Sequence, residues 1–338
     1  MVGRVSIFDC GEAYGMMVKM RIALILLFFL LLGTASANEP HPGAEAFVER
    51  AVAEHDLDPE LVRAVLADAR YQQAIIDAIT RPAESKPWYR YRPIFLTESR
   101  TAGGVDFWLA HRDLLQAVSE RFGVPIEIIV AIVGVETNYG GNTGSYRVID
   151  ALATLGFYFP RRAAFFASEL GHFLSLAQEE DLPVHEVRGS YAGAMGIGQF
   201  ISSSYRAYAV DFDGDGRRDL WRSLPDALGS VANYLADHGW NEGEGLVLPV
   251  EAMPAGVEAS PGLRPDFTLG ELEARGVVVR RSGEADETPV TLIALETENG
   301  TEHWVGLNNF HVITRYNRSP LYAMAVTQLA DAIRARVP

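Results

Sequence analysis

The feature that most constrains the fold of this chain is a long apolar segment that ends in an acidic residue, IEIIVAIVGVE at positions 126–136. Before the final Glu136 the segment holds only one other charge, Glu127. A segment this apolar is expected to be buried in the core of the fold. It stops at Gly140-Gly141, so Glu136 lies in the last turn before a loop, where a helix can present a side chain to a cleft.

Burial of Glu136 has a chemical consequence. A carboxyl group that loses its hydration shell disfavours its ionised form, which raises its pKa. A carboxylic acid that is still protonated near neutral pH can act as a general acid. The segment alone is equally compatible with a glutamate that caps a core helix or pairs with an arginine.

Composition excludes several classes of function. The formal net charge is −15 and no basic stripe is present, which argues against nucleic acid as a partner. The single cysteine, Cys10, precedes the apolar run at 22–32, so thiol catalysis and disulfides are not expected in the mature chain. The eight histidines show no metal-ligand spacing, and no Gly-x-Ser-x-Gly or phosphate-binding motif is present. We therefore predict no organic cofactor.

The N-terminal segment has the pattern of an export signal. Met20-Arg21 precedes an uninterrupted apolar run at 22–32, and Ala35-x-Ala37 resembles a cleavage site. We predict that residues 1–37 are an upstream extension and secretory signal, and that the protein is exported and periplasmic. It would be soluble after cleavage or tethered if the signal stays uncut. No cysteine follows the run, so no lipid anchor is expected.

The rest of the chain is predicted to be mainly α, in the α+β class. Apolar spacing favours helices up to about residue 245, except for a long surface loop predicted at 81–104. A single helix is expected at 105–122. Near the C-terminus, Asn299-Gly300 between two alternating runs predicts a β-hairpin. The predicted regions are an N-terminal helical region at 38–122, a core at 123–245, a small antiparallel β lobe at 246–311, and a C-terminal helix at 312–338 that packs on the helical body.

A second block that bears on chemistry is the glycine-rich stretch GSYAGAMGIGQF, residues 189–200. Four glycines in twelve residues are unfavourable for a helix or strand but suit a backbone that approaches a ligand or a facing helix closely. Ser190, Tyr191 and Gln199 supply hydroxyl and amide groups able to hold a sugar. Tight helix packing without a ligand explains the glycines equally well, but Gln199 favours a cleft.

An acidic loop, DFDGDGRRD at 211–219, resembles the start of an EF-hand. Asp211, Asp213 and Asp215 alternate before a glycine, and Arg217 offers its backbone carbonyl. The bidentate glutamate of position twelve is replaced by an arginine, so the shell would be closed by Asp226 or by its competitor Asp219. We predict a structural Ca²⁺ site. The alternative is a solvated acidic turn without metal.

Further candidates are aromatic, amide and arginine side chains. Tyr316, Asn317 and Tyr322 lie where the β lobe joins the last helix, and aromatic faces and amides suit sugar recognition. Tyr234 alone is better explained as a core residue. The pair Arg161-Arg162 could meet a ligand carboxylate or simply start a helix.

These blocks, in this order, resemble the membrane-bound lytic transglycosylases of type B, glycoside hydrolase family 103. The resemblance implies a lysozyme-like helical core at 123–245 with an additional helical region and a small β lobe. It also implies cleavage of the MurNAc-β-1,4-GlcNAc bond of peptidoglycan to give 1,6-anhydro-MurNAc ends. The matching stretches are VGVETNYGG, FYFPRRAAFF, SYAGAMGIGQF, SSSYRAYAVDFDGDG, GSVANYLADHGW and LNNFHVITRYNRSPLYAMAV.

The resemblance assigns roles to residues at matching positions. Glu136 falls on the catalytic acid of the family, and the acids of the 211–226 region fall on its calcium loop. The interval between Trp221 and Asp226 is one residue longer than usual. The lipidated cysteine of the membrane-bound type is missing, so its anchoring is not carried over. The positions that fall on the cleft are Ser190, Tyr191, Gln199, Tyr234, Tyr316, Asn317 and Tyr322.

The local chemistry agrees with a single-acid mechanism. A hydrolytic glycosidase normally uses two carboxyl groups, but neither VGVETNYGG nor SYAGAMGIGQF contains a second acid. Glu136 would protonate the leaving oxygen and then, as a base, take the proton of the C6 hydroxyl that closes the anhydro ring. Two alternatives stay open: a hydrolytic muramidase with a second carboxylate elsewhere, and a non-catalytic peptidoglycan-binding protein.

Overall fold

The computed structural model describes residues 40–81 and 83–338, and most of this length is helical. The predicted extension and signal at 1–37 lie outside the described residues. The first helices are α1 (Ala44–His55), α2 (Pro59–Asp68), α3 (Gln73–Ile79), α4 (Trp88–Phe95), α5 (Glu98–Ala110), α6 (Arg112–Phe122) and α7 (Ile126–Thr137). They are followed by α8 (Val148–Tyr158), α9 (Ala163–Glu179), α10 (Ser202–Tyr208), α11 (Leu224–Asp237), α12 (Leu269–Ala274), α13 (Asn308–Tyr316) and α14 (Pro320–Arg334).

Polar side chains explain where several helices begin. Asp58 accepts a backbone N–H at the start of α2, and Pro59 takes the first helical position, where its missing N–H costs nothing. Thr97, Ser223 and Ser319 cap α5, α11 and α14 in the same way. Two of these caps lie next to site elements, since α11 follows the acidic loop and α14 carries Tyr322.

The predicted loop at 81–104 is wrong, because this segment forms α4 and the first half of α5. Trp88, Tyr91 and Phe95 recur at helical spacing, and the first two are only 2% and 1% exposed. The prolines and arginines suggested a surface loop, but the aromatic side chains are core residues. The predicted single helix at 105–122 is also interrupted, since α5 ends and α6 begins around His111.

Helix α7 lies at the centre of the core because it is apolar on nearly every side. Residues 129–133 are all fully buried, and the helix packs against α5, α6, α11 and α14. This confirms the burial predicted from the sequence. The C-terminal turn of α7 carries Glu136, so the core fixes the position of this residue.

The β structure consists of one short pair and one larger antiparallel sheet. The pair joins β1 (Tyr146–Arg147) to β2 (Arg188–Gly189). The strands of the larger sheet are β3 (Val247–Ala252), β4 (Phe267–Thr268), β5 (Val278–Val279), β6 (Pro289–Thr297) and β7 (Gly300–Gly306). They lie in the order β4-β6-β7-β3-β5 and include the predicted hairpin, in which Thr297 pairs with Gly300.

The sheet has a small apolar core of its own, centred on Leu248, Leu292 and Val305, while Ile293 and Leu295 of β6 belong to the main core. Residues 41–338 form one compact unit. Within the described ranges, no helix combines the length and apolar character needed to cross a membrane. The predicted class, mainly α with a small antiparallel β lobe, is confirmed. The domain boundaries stay a prediction.

Candidate active site

The carboxyl group of Glu136 is half-buried and directly bonded to a tyrosine. The hydroxyl of Tyr322 donates a 2.6 Å hydrogen bond to Oε1 of Glu136. Tyr322 lies on α14 and is only 2% exposed. Burial, together with the negative charge of Glu136, holds the pKa of Tyr322 well above its usual value of 10.0. The hydroxyl therefore stays protonated and remains a donor to Glu136.

The end of α7 is joined to the glycine-rich stretch by Thr137. Its hydroxyl donates to the carbonyl oxygen of Ile197 at 2.9 Å and accepts the backbone N–H of Gly140 at 3.0 Å. Thr137 is 1% exposed, so both bonds are shielded from water. Sequence analysis did not single out this residue, although a threonine directly after the acid of a buried helix was the available signal.

The glycine-rich stretch makes the close backbone approach predicted for it. Tyr316 donates a 2.6 Å hydrogen bond to the carbonyl oxygen of Gly198, and a Cβ at position 198 would lie 3.0 Å from the tyrosine oxygen. Gln199 adopts a left-handed backbone with φ of 51°. Its amide donates to the carbonyl oxygens of Thr143 and Gly196. These bonds fix the turn that faces the end of α7.

Tyr234 and Tyr316 form an aromatic cluster with Phe200. The two tyrosine rings are 4.9 Å apart, and Phe200 meets both edge-on. Burial raises the pKa of Tyr234 to about 12. The pKa of Tyr316 is held well above 10.0 by burial and, secondly, by the charge of Glu136. Tyr316 therefore lies within electrostatic reach of the Glu136 carboxylate.

A cleft of about 840 Å³ lies beside this cluster. Five predicted site residues line it: Arg162, Gln199, Tyr234, Tyr316 and Asn317. The other lining residues are mainly aromatic, small or basic: Phe165, Phe166, Ala192, Phe200, Ile201, Ser204, Arg315 and Arg318. The structure thus brings together amide, aromatic and guanidinium groups, which is the chemistry expected of a sugar site. Glu136 is not one of the lining residues, but its charge reaches Tyr316, which lines the cleft.

Five predicted catalytic or substrate-binding residues are not among those that line this cleft: Glu136, Tyr322, Ser190, Tyr191 and Arg161. Ser190 accepts the backbone N–H groups of Ala192 and Ala194, so its hydroxyl shapes the loop at the cleft edge. Tyr191 is half-buried and packs against the main core. Arg161 is exposed at the start of α9.

The acidic loop places three carboxylates together. Oxygen atoms of Asp211, Asp213 and Asp226 lie within 4.8 Å of one another. Asp226 is fully buried, and burial, with a contribution from the charge of Asp213, raises its pKa. Asp215 accepts the N–H of Arg217, which bends the loop. Clustered carboxylate oxygens of this kind fit a hard cation such as Ca²⁺.

The geometry distinguishes Asp226 from its competitor Asp219. The carboxylate of Asp219 accepts the backbone N–H groups of Trp221 and Arg222. Asp226 lies within the carboxylate cluster and also accepts the N–H groups of Phe212 and Asp219. The extra residue before Asp226 therefore does not displace it from the loop.

Comparison with known proteins agrees with these observations. Residues 40–331 match the family model described as the transglycosylase SLT domain. Membrane-bound lytic murein transglycosylase B of Escherichia coli (strain K12) is 39% identical over 312 residues, which cover 89% of this chain and 85% of that protein. The resemblance inferred from the motifs is confirmed.

Solved structures show the same fold. The catenated lytic transglycosylase SltB1 of Pseudomonas aeruginosa is 48% identical with a TM-score of 0.82, covering 88% of this chain and 98% of its own. Escherichia coli Slt35 in complex with calcium is 39% identical with a TM-score of 0.80, at 90% and 96% coverage. SltB3 of Pseudomonas aeruginosa in complex with NAG-NAM-pentapeptide is 35% identical with a TM-score of 0.75, at 87% and 79% coverage. The predicted lysozyme-like class is confirmed, and the chain belongs to the SLT-domain transglycosylase family as a lytic transglycosylase.

Proposed function

We propose that this enzyme cleaves the β-1,4 bond between MurNAc and GlcNAc in peptidoglycan, with Glu136 as its only acid and base. The observation that carries this proposal is the hydrogen bond from the buried Tyr322 hydroxyl to Glu136. The charge of Glu136 also reaches Tyr316, which lines the cleft of amides and aromatic rings. The complex of SltB3 with NAG-NAM-pentapeptide supports a glycan strand as the substrate.

In the first step Glu136 gives a proton to the glycosidic oxygen. Tyr322 donates to Oε1, so its hydroxyl stays bonded to the carboxyl group as the proton leaves. The bond between C1 of MurNAc and the leaving oxygen breaks, and the 2-acetamido group of the sugar shields the oxocarbenium centre. The bond from Tyr322 strengthens as Glu136 becomes negative, because a charged acceptor makes the stronger hydrogen bond.

In the second step Glu136 acts as the base. It removes the proton of the C6 hydroxyl, whose oxygen then bonds to C1 and closes the 1,6-anhydro ring. One bond to C1 breaks and another forms, and no water is consumed. Ring closure therefore restores the protonated Glu136 for the next turnover.

The other buried carboxylates support a single-acid mechanism. Among the described residues, three acidic side chains are buried more deeply than the half-buried Glu136: Asp150, Glu169 and Asp226. Asp150 is paired with Arg147, and Glu169 holds the start of α10 through Ser203. Asp226 belongs to the acidic loop. Each is committed to a structural partner, whereas a hydrolytic glycosidase needs a free second carboxylate at the bond that it cleaves.

The cleft residues would hold the substrate. The amides of Gln199 and Asn317 suit hydroxyl or acetamido groups, and Tyr234 and Tyr316 form an aromatic wall. Arg162, with Arg161 beside it, suits a substrate carboxylate. Ser190 and Tyr191 belong to the loop at the cleft edge.

Calcium would bind to the acidic loop with a structural role. Asp211, Asp213 and Asp226 would supply carboxylate oxygens, joined by Asp215 and the carbonyl oxygen of Arg217. The calcium complex of Slt35 supports this assignment. A bound cation would offset the mutual repulsion of the clustered carboxylates and so hold the loop against α11. A periplasmic location would agree with this substrate and with the predicted signal.

Digestion of purified sacculi tests the mechanism. We expect products with anhydro-MurNAc ends, each lacking one water relative to a reducing end by mass spectrometry. Glu136→Gln should lower turnover by at least about 100-fold, since general acid–base catalysis contributes that much or more. Glu127→Gln, at the other end of α7, is the matched control and should stay active. Reducing ends would show a hydrolytic muramidase, and binding without release would show a wall-binding protein.

A further inference from the structure

The last turn of α7 is held by an arginine that sequence analysis did not identify. The guanidinium of Arg100, on α5, donates to the carbonyl oxygen of Gly134 at 2.5 Å and lies 3.5 Å from that of Val135. These are the two residues directly before Glu136. Arg100 is half-buried, and burial lowers its pKa. Its guanidinium also lies over the ring of Phe95, which limits its movement.

A tyrosine on the other side of Glu136 completes this arrangement. Tyr139 adopts a left-handed backbone with φ of 62°, and its hydroxyl donates to the carbonyl oxygen of Arg100 at 2.7 Å. Its ring lies in a groove between α5 and α7 that exists because Gly103, Gly104 and Gly134 have no side chains. A Cβ at Gly104 or Gly134 would come within 2.6 or 2.7 Å of the tyrosine oxygen.

Two bonds therefore join α5 to the chain on either side of Glu136. Arg100 donates to Gly134 just before it, and Tyr139 just after it donates to the backbone of Arg100. A left-handed non-glycine residue persists only where its surroundings determine the backbone, and here the glycine groove does so. The carbonyl groups at a helix end have few partners within the helix. Gly134 accepts the backbone N–H of Asn138 at 3.1 Å, and Arg100 adds a second, external donor that ties this turn to α5. The direction in which Glu136 leaves the helix depends on this turn.

We propose that Arg100 and Tyr139 are positioning residues that hold Glu136 at the distance and angle required for proton transfer. This inference rests on the proposed role of Glu136 as acid and base. On this proposal the rate of the acid–base step depends on Arg100 and Tyr139, two residues that are not expected to touch the substrate. A small misplacement of a catalytic group can cost about 100-fold in rate.

The test compares variants by steady-state kinetics on a soluble glycan fragment of alternating GlcNAc and MurNAc, with melting temperature measured in parallel. We expect Arg100→Ala to lower kcat by about 10- to 100-fold with KM nearly unchanged. Arg100→Lys should recover part of the loss, and Tyr139→Phe should lower kcat by a smaller factor. Added guanidinium at a non-denaturing concentration should restore turnover to Arg100→Ala. Arg336→Ala is the control, because it removes a guanidinium bonded to Glu98 in the first turn of the same helix α5.

The results separate this inference from the proposed function. If wild-type enzyme forms anhydro ends and Glu136→Gln is inactive, but Arg100→Ala keeps its kcat within about twofold, the positioning role is overturned alone. It is also overturned if Arg100→Ala loses activity only in proportion to unfolding, with no response to guanidinium. A fall in kcat at unchanged KM with guanidinium rescue supports it.

Discussion

Removal of the Tyr322 hydroxyl is the sharpest test of how Glu136 is activated. This hydroxyl donates a 2.6 Å hydrogen bond to Oε1 of Glu136. Tyr322 is only 2% exposed, so the bond is shielded from water. A hydrogen bond to a charged group contributes about 1.5–3 kcal/mol. In the wild-type enzyme Glu136 becomes negative as it protonates the leaving oxygen, so this bond stabilises the transition state. Removal of the hydroxyl removes most of that stabilisation. Tyr322→Phe should therefore lower kcat by roughly 10- to 150-fold.

A second tyrosine affected by the charge of Glu136 provides a matched control. Tyr316 is half-buried and within electrostatic reach of Glu136, but its hydroxyl donates to the neutral carbonyl oxygen of Gly198. A neutral bond contributes about 0.5–1.5 kcal/mol, so Tyr316→Phe should reduce stability modestly and kcat by less than about tenfold. Both variants should be compared with wild type by release of anhydro-muropeptides from sacculi. Equal effects of the two substitutions, or a Tyr322→Phe enzyme within twofold of wild type, would refute the reasoning.

Two further outcomes follow from groups outside the cleft. Saturating Ca²⁺ should raise the melting temperature, with a stabilisation of about 2.7 kcal/mol at 100 times the dissociation constant; Asp213→Asn should abolish most of the increase, and an unchanged melting curve would argue against a metal site. The second outcome concerns His55. Its pKa is lowered from 6.5, mainly by burial and secondly by the charges of His172 and Arg206. The unfolded chain therefore binds this proton first as pH falls. The free energy of unfolding should decrease below about pH 6.5, and His55→Asn should flatten this dependence in urea titrations at several pH values. A wild-type profile that rises towards acid would contradict it.

The parts of the site that were predictable are those written in contiguous residues. The apolar run ending in Glu136, the acidic loop at 211–216 and the hairpin near Asn299 each carry a recognisable local pattern. The predicted burial of α7 and the pairing of β6 with β7 are confirmed for this reason.

What could not be predicted depends on contacts between distant residues. In the segment 81–104 the side chains of Trp88 and Tyr91 are buried in the core. The prolines and arginines of the same segment favoured the prediction of a loop. Nothing local indicates that Arg100 reaches the carbonyl of Gly134 or that Tyr139 fills a glycine groove. The choice between Asp226 and Asp219 likewise required the path of the chain after the loop. Tyr322 was suggested by its place between the β lobe and the last helix and by family resemblance, and its bond to Glu136 became visible only in the fold.

The bond between α7 and α14 joins residues separated by 186 positions. Catalytic competence therefore depends on a contact of very long range. Nine residues of α14 are buried, eight of them within the main core, so Tyr322 reaches Glu136 only when this core is complete. The acid is thus assembled by the same packing that closes the fold.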